Sequence, residues 1–296
     1  MAHITRPQHR PPRDMNCPML QIANGCTHGK CKFCDIYTGV PFTASPMEEI
    51  IEDIEEIARK ATALTRRIYL TGGNPFALPN ERLMAVFDAV ESRIPTVNSY
   101  GGFCRITDIA RKTDEELAEL AARGVNDLAI GAESGCDETL AFMQKGQTAA
   151  DLVEQGRRLR ETGIDFTFFY LAGLAGEGRG QVNAIESGEV FSKADPNTIL
   201  IVTLTPAKGW PLAEDIAAGR WAPATEVETA QEIRTFIANL DCSARIICSH
   251  DSDVIRFDGK LPGDKQKMLD LMDNMIPKIN EKAARLMREM IHKATF

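Results

Sequence analysis

Long apolar runs are missing from this chain of 296 residues. Its unbroken hydrophobic stretches are short, and the run Phe-Phe-Tyr-Leu-Ala at 168–172 is among the longest. A membrane-spanning helix needs about 20 such residues, so no membrane partner is expected. No export signal is expected either: residues 1–14 mix arginine and proline and hold no apolar core. Positive charge is in deficit. The chain has 34 Lys and Arg against 42 Asp and Glu, a net charge of −8, which is a poor basis for gripping a phosphate backbone over a wide face. The 8 cysteines fall far below the density of a disulfide scaffold. A cytoplasmic setting is therefore expected, where clustered cysteines act as metal ligands or catalysts. No repeat and no Gly/Ser-rich linker interrupts the chain. What remains is 44% hydrophobic and 26% charged, enough for a core and unlike a disordered or fibrous chain.

The pattern that is present is a rhythm. Apolar or β-branched runs start near residues 19, 67, 96, 126, 164 and 198, and each is followed by a helical pattern. Ser45-Pro46-Met47-Glu48 and Thr113 to Glu116 read as capping boxes opening two of the helices, and Gly124 reads as a helix stop. Further helices are expected near 81–92, 149–161, 180–193 and 226–240, a strand near 244–249, and helix from 264 to 293 interrupted at Pro277. Repeated strand–helix units of about 30 residues predict an α/β fold with a parallel sheet. Its functional loops are expected at the C-terminal strand ends. Residues 1–16 are expected as an N-terminal tail, 17–215 as the barrel-like body, and 216–296 as a mostly helical extension packed on it.

Chemistry is concentrated in the loop after the first run. There Cys26, Cys31 and Cys34 are spaced C-x4-C-x2-C. Three thiolates this close can hold three irons of a cubane cluster and leave the fourth iron without a protein ligand. Lys30 and Lys32 are expected to favour the thiolate form. A zinc site with His28 as fourth ligand and a plant-type ferredoxin centre are the alternatives. Zinc sites more often pair two separated ligand couples, and the next cysteine, Cys104, is far downstream. Cys104, Cys136, Cys242 and Cys248 read as isolated buried thiols.

Three further segments follow in order along the chain: Leu70-Thr71-Gly72-Gly73-Asn74-Pro75, Ile130-Gly131-Ala132-Glu133-Ser134-Gly135, and 169–177 with Leu171, Gly173 and Gly176. Glycine pairs leave backbone open to close approach. The amide of Asn74 can accept from an ammonium, and the carboxylate of Glu133 from hydroxyl or ammonium donors. Ser134 also suits a helix cap.

Together these pieces resemble the radical S-adenosylmethionine (radical SAM) superfamily over roughly residues 19–212. An aromatic residue before the last cysteine, here Phe33, is typical of that superfamily. The spacing departs from its usual C-x3-C-x2-C by one residue. The resemblance implies a partial (β/α)6 TIM-like barrel and a [4Fe–4S] cluster on Cys26, Cys31 and Cys34. It places SAM against Phe33, Gly72, Gly73, Asn74, Glu133, Ser134, Leu171 and Gly173. It further implies an oxygen-sensitive enzyme that cleaves SAM reductively to methionine and a 5′-deoxyadenosyl radical, which takes hydrogen from a substrate. The electron would come from an external flavodoxin or ferredoxin. A small molecule or peptide suits the charge better than nucleic acid. Tyr37, Asn98, Tyr100, Arg105, Thr203 and His250 fall at or beyond expected strand ends and are candidates to face the substrate; no catalytic residue is named. The rival reading is an iron–sulfur electron carrier that never cleaves SAM.

Overall fold

The computed structural model describes residues 3–5, 10–207 and 209–295. The chain forms two compact units and passes between them more than once. One comprises residues 1–29, 37–131 and 158–166; the other comprises 30–36, 132–157 and 167–296.

The first unit is built on parallel strands. In chain order the strands are β1 (Met19–Gln21), β2 (Ala23–Asn24), β3 (Thr43–Ala44), β4 (Arg67–Thr71), β5 (Ser99–Cys104) and β6 (Leu128–Glu133). β1 pairs in parallel with β4, Leu20 opposite Leu70; β4 with β5, Tyr69 opposite Gly101; and β5 with β6, Cys104 opposite Ile130. Ile68, Tyr69 and Leu70 are all fully buried, as expected where both faces of a parallel sheet are covered. The helix Met47–Lys60 buries Ile50, Ile54 and Ile57 along one stripe. β2 and β3 make a small antiparallel pair, Ala23 opposite Ala44, at the mouth of the cysteine loop.

The second unit carries β7 (Phe166–Ala172), β8 (Thr198–Thr203), β9 (Arg245–Cys248) and β10 (Phe257–Lys260). β7 and β8 pair in parallel, as do β8 and β9, while β10 closes back antiparallel on β9. The helices Gly180–Ala194 and Glu226–Asn239 belong to this unit. The latter is opened by a capping box in which Thr225 and Glu228 bond each other's backbone amides.

Most expected elements are present, including the Thr113–Glu116 box and the break at Pro277. Four differ. The box at Ser45 does not form. Pro46 is extended, with ψ 142°, and caps the helix without a side-chain bond, while the Ser45 backbone is already bonded to Ile22 and Arg82. β5 begins at Ser99, three residues later than expected, so Asn98 and Tyr100 lie at the wrong end of their strand to face a substrate. Tyr100 is instead fully buried, stacked 4.1 Å from Phe87. The expected tail is anchored in its described part. Asp14 is buried and accepts from Arg67 Nε at 2.6 Å, and Arg13 pairs with Asp127. Residues 1, 2 and 6–9 of that segment lie outside the described residues. In the extension the strand expected near 244–249 is present as β9, and the unexpected element is β10, which pairs back on it. No helix among the described residues is long and apolar enough to cross a membrane.

Candidate active site

In the first unit, Cys26 leads into the loop directly after β2. None of the eight cysteines forms a disulfide, and Cys26, Cys31 and Cys34 are half-buried. The next residue, Thr27, is pinned by its amide, which donates to Asn74 Oδ1 at 3.1 Å. Asn74 Nδ2 donates in turn to Thr27 Oγ1 and to Asp108 Oδ2, both at 2.7 Å. Asp108 also accepts from the Arg105 amide at 2.9 Å and from the Thr27 hydroxyl at 3.3 Å. Burial pushes the Asp108 carboxyl up, and the bonds from Asn74 and Arg105 act against that rise. Asn74 is 3% exposed. Its amide therefore ties the cysteine loop to the ends of β4 and β5. It does not stand open toward an ammonium group.

The glycines before Asn74 show the same economy. A Cβ at Gly72 would lie 1.7 Å from the carbonyl oxygen of Ala23, and one at Gly73 would lie 1.8 Å from that of Gly25. The close approach anticipated for these residues is an approach of the chain to itself. Side-chain-free backbone lets the segment entering the cysteine loop lie directly on the β4 exit. The ring of Tyr37 lies alongside, 3.5 Å from the same notional Gly73 Cβ.

In the second unit, Phe33 is buried with Met143, Leu174, Leu204, Leu212 and Trp221, and Cys31, Cys34, Leu171 and Trp210 pack against that group. The Lys32 amide donates to Met143 O at 3.0 Å, and the Lys32 carbonyl accepts from Leu212 at 2.9 Å, which fixes this half of the loop. The Lys32 ammonium lies 2.9 Å from Asp215 and over the ring of Phe142. Its charge is thus balanced by Asp215 and is not at the disposal of the thiols. Lys30 is exposed.

The end of β6 holds a second pair. Glu133 has φ 67°, in the left-handed region, a strained setting for a side chain of its size. Its carboxylate lies 3.0 Å from Lys145 Nζ, with both side chains largely buried at 14% and 8% exposure. Lys145 Nζ also lies 5.8 Å from the centre of the Phe33 ring, within cation–π reach. Lys145 is a functional candidate that sequence reasoning missed, because nothing in Gln144-Lys145-Gly146 marks it apart from a loop lysine. Ser134 is placed differently from the expectation. It is fully buried, donates to Asn183 Oδ1 at 2.6 Å and accepts from the Cys136 amide at 2.9 Å. Its hydroxyl is spent on the fold.

The second unit also holds a buried polar chain that the sequence did not announce. Asn183 Nδ2 donates to Tyr170 Oη at 3.0 Å and to Glu232 Oε1 at 2.9 Å; Tyr170 Oη donates to Glu232 Oε1 at 2.6 Å; the Gly173 amide donates to Glu232 Oε2 at 3.0 Å. Burial pushes the Glu232 carboxyl up to about 7, against the three bonds that favour its charge. A carboxyl raised above its unfolded value stabilises the fold fully below the unfolded pKa. That contribution is lost as pH rises through the folded one. The melting temperature of wild type, relative to Glu232→Gln, is therefore expected to fall between about pH 5 and pH 8. Parallel melting curves across that window would remove Glu232 as the titrating group.

Of the other candidates, Arg105 follows β5 but is buried, and Thr203 is buried with its hydroxyl donating to Asp253 at 2.9 Å. His250 is exposed beyond β9, where its Nδ1 accepts from the Ser252 amide at 3.1 Å. Burial pushes the thiols of Cys104, Cys136, Cys242 and Cys248 up, so they stay protonated and behave as structural thiols.

The sequence pattern of the Radical SAM superfamily matches residues 20–186 of this chain. The chain belongs to the radical SAM superfamily. That superfamily works with a [4Fe–4S] cluster and SAM. Among curated proteins, the chain is 26% identical over 183 residues to the tRNA-2-methylthio-N(6)-dimethylallyladenosine synthase of Colwellia psychrerythraea strain 34H. That match covers 56% of this chain and 36% of the other. It is 23% identical to the heme chaperone HemW of Bacillus subtilis strain 168, covering 51% and 41%. The chain thus spans well under half the length of these relatives. Among solved structures, methylornithine synthase PylB superposes with TM-score 0.55 at 18% identity, covering 86% of this chain and 68% of that one. The radical SAM methyltransferase TsrM of Kitasatospora setae, with cobalamin and a [4Fe–4S] cluster bound, gives 0.56 at 18%, covering 69% and 39%. The expected fold class, an α/β partial TIM-like barrel, is borne out by these superpositions.

The residues present fit the superfamily's cofactor by their donor chemistry. Three thiols free of disulfides sit on one short loop, and that loop is fixed at Thr27 on one side and at Lys32 and Phe33 on the other. Anchored loops of this kind present ligands at low entropic cost.

Proposed function

We propose that this protein is a radical SAM enzyme whose cluster is held by Cys26, Cys31 and Cys34 and whose SAM-binding elements include Phe33, Glu133, Leu171 and Gly173, with Gly72, Gly73, Asn74 and Ser134 shaping those elements from within the fold. The observation that carries the reading is the doubly anchored cysteine loop within the matched superfamily region. A [4Fe–4S] cluster held there would provide for the one-electron reduction of SAM to methionine and a 5′-deoxyadenosyl radical. The chain's own residues divide the remaining work. Gly72, Gly73 and Asn74 act by holding the Cys26 side of the loop. Ser134 acts by fixing the turn that carries Glu133. Glu133 and Lys145 form an opposed pair that matches a ligand bearing hydroxyl or ammonium donors and a carboxylate. Phe33 supplies apolar surface beside it, and Leu171 packs in the same apolar group as Phe33.

The substrate is read as a small molecule or peptide, in keeping with the net charge of −8. The two curated relatives act on different things by their names, so neither name fixes a substrate for this chain. The electron donor is read as an external flavodoxin or ferredoxin, and the setting as cytoplasmic.

The test is release of 5′-deoxyadenosine by anaerobically reconstituted protein given SAM and a strong reductant. Wild type is expected to release it without added substrate. The variant with Cys26, Cys31 and Cys34 all changed to Ala is expected to release none. A wild-type cluster that binds no SAM would shift the reading to an iron–sulfur electron carrier.

A further inference from the structure

Glu232 lies about 60 residues beyond the last SAM-associated segment, on the helix Glu226–Asn239, yet its carboxylate reaches the exit of β7. Three donors converge on it: Tyr170 Oη–H, Asn183 Nδ2–H and the Gly173 N–H. Tyr170, Asn183 and Glu232 are all 1% exposed or less. Tyr170 is stacked on Phe236 of the same helix, 3.9 Å between centroids and 5° between planes, so the donor side of the network is rigid. The network also extends to the end of β6. Asn183 Oδ1 accepts from Ser134, and the Gly135 amide donates to Ser187 at 2.7 Å.

The segment it holds matters because of what rests on it. Leu171 and Leu174 flank Gly173, and both pack in the group around Phe33 that carries Cys31 and Cys34. Gly173 has φ 82°, which glycine adopts without strain, and the amide of that turn is held by the Glu232 carboxylate. We infer that Glu232 is a positioning residue for the metal centre: it clamps the Gly173 turn and thereby fixes the apolar seat under Cys31 and Cys34. This rests on the proposed cluster assignment and extends it to a residue outside every motif.

The chemistry of the site predicts how a substitution acts. A carboxylate offers two acceptor oxygens and no donor, which suits three converging donors. Glutamine offers one acceptor oxygen and an NH2. If its oxygen keeps Tyr170 and Asn183, its NH2 faces the Gly173 N–H, donor against donor. The backbone turn then loses its anchor while the aromatic stack is kept. Tyr170→Phe removes one donor and leaves the Gly173 bond in place.

The chain's two tryptophans, Trp210 and Trp221, both belong to the Phe33 group, so they report on the seat without any metal. The experiment compares wild type, Glu232→Gln, Tyr170→Phe and Ile199→Val, the last a control for destabilisation elsewhere in the same unit's core. Tryptophan emission and acrylamide quenching are read on apo-protein. Iron release to a chelator is then timed on anaerobically reconstituted protein. Glu232→Gln is expected to red-shift the emission, raise quenching and speed iron release roughly tenfold, at the lower end of what second-layer partners of metal ligands cost. Tyr170→Phe and Ile199→Val are expected to stay within about twofold of wild type, well short of that cost. If Glu232→Gln matches Ile199→Val in quenching and iron release, the positioning role is wrong. If Glu232→Gln does not fold, Glu232→Asp, which keeps the acceptors but shortens the reach, takes its place with the same expectation. A wild type that holds no cluster would overturn the underlying assignment, while the emission data would still decide whether Glu232 fixes the seat.

Discussion

Gly73→Ala is expected to leave the fold intact and to strip the protein of most of its cluster. Two costs combine at this position. The backbone has φ 93°, where any L side chain is strained by about 1–2 kcal/mol. The new methyl would also meet the Gly25 carbonyl oxygen at 1.8 Å, and overpacking against backbone costs roughly 1–3 kcal/mol. A total near 3 kcal/mol is a large fraction of the 5–15 kcal/mol typical of a domain, yet less than the whole. The clash is relieved most cheaply by moving the segment that is least buried, which is the loop beginning at Cys26. Iron and sulfide content after reconstitution is therefore expected to fall roughly tenfold or more, with the far-UV circular dichroism unchanged. Gly163→Ala isolates the first cost, since Gly163 has φ 75° and nothing within 4 Å of a Cβ. It should lower stability but load a full cluster. Full loading in Gly73→Ala with loss of SAM binding alone would mean that the glycine pair faces the ligand and not the loop.

That contrast shows where sequence reading reached and where it stopped. The strand–helix rhythm was legible because buried parallel strands are short apolar runs and the surface helices carry apolar stripes, as at Ile50, Ile54 and Ile57. The cysteine loop was legible because three identical soft ligands within nine residues have few other uses. Motif order along the chain located the ends of β4, β6 and β7. Direction was not legible. Asn74 and Ser134 have the chemistry to meet a ligand, and the sequence holds no sign that Thr27, Asp108 and Asn183 already satisfy them. Lys32 looked available to the thiols because Asp215, far along the chain, is invisible to local spacing. The β10 strand escaped because Phe-Asp-Gly-Lys has no alternation to read. Glu232 escaped for a similar reason: at its position on an amphipathic helix a glutamate reads as a solvated face, and only the folded chain shows it buried.

Lys145→Met is expected to lower stability by about 3 kcal/mol, because it leaves the Glu133 charge largely buried without its partner. The loss should be read by denaturant melts on apo-protein. Glu133→Gln alone should cost a comparable amount by stranding the ammonium. The double variant, Glu133→Gln with Lys145→Met, removes both charges. It should recover most of that stability, since replacing a buried ion pair by neutral groups of similar size is often neutral or favourable. SAM affinity should behave differently. If the pair exists to meet a zwitterionic ligand, each single variant should weaken binding, and the double variant should weaken it further, by an amount that stability does not track. Equilibrium binding of SAM to reconstituted protein gives that second axis. Recovery of both stability and affinity in the double variant would reduce Glu133 and Lys145 to a structural pair. Recovery of stability alone would show that the fold tolerates their absence and that their cost is borne for the ligand. The left-handed backbone of Glu133 already leans toward the second outcome, because a strained φ of 67° is an expensive place to put a charge whose only task is to satisfy a neighbouring lysine.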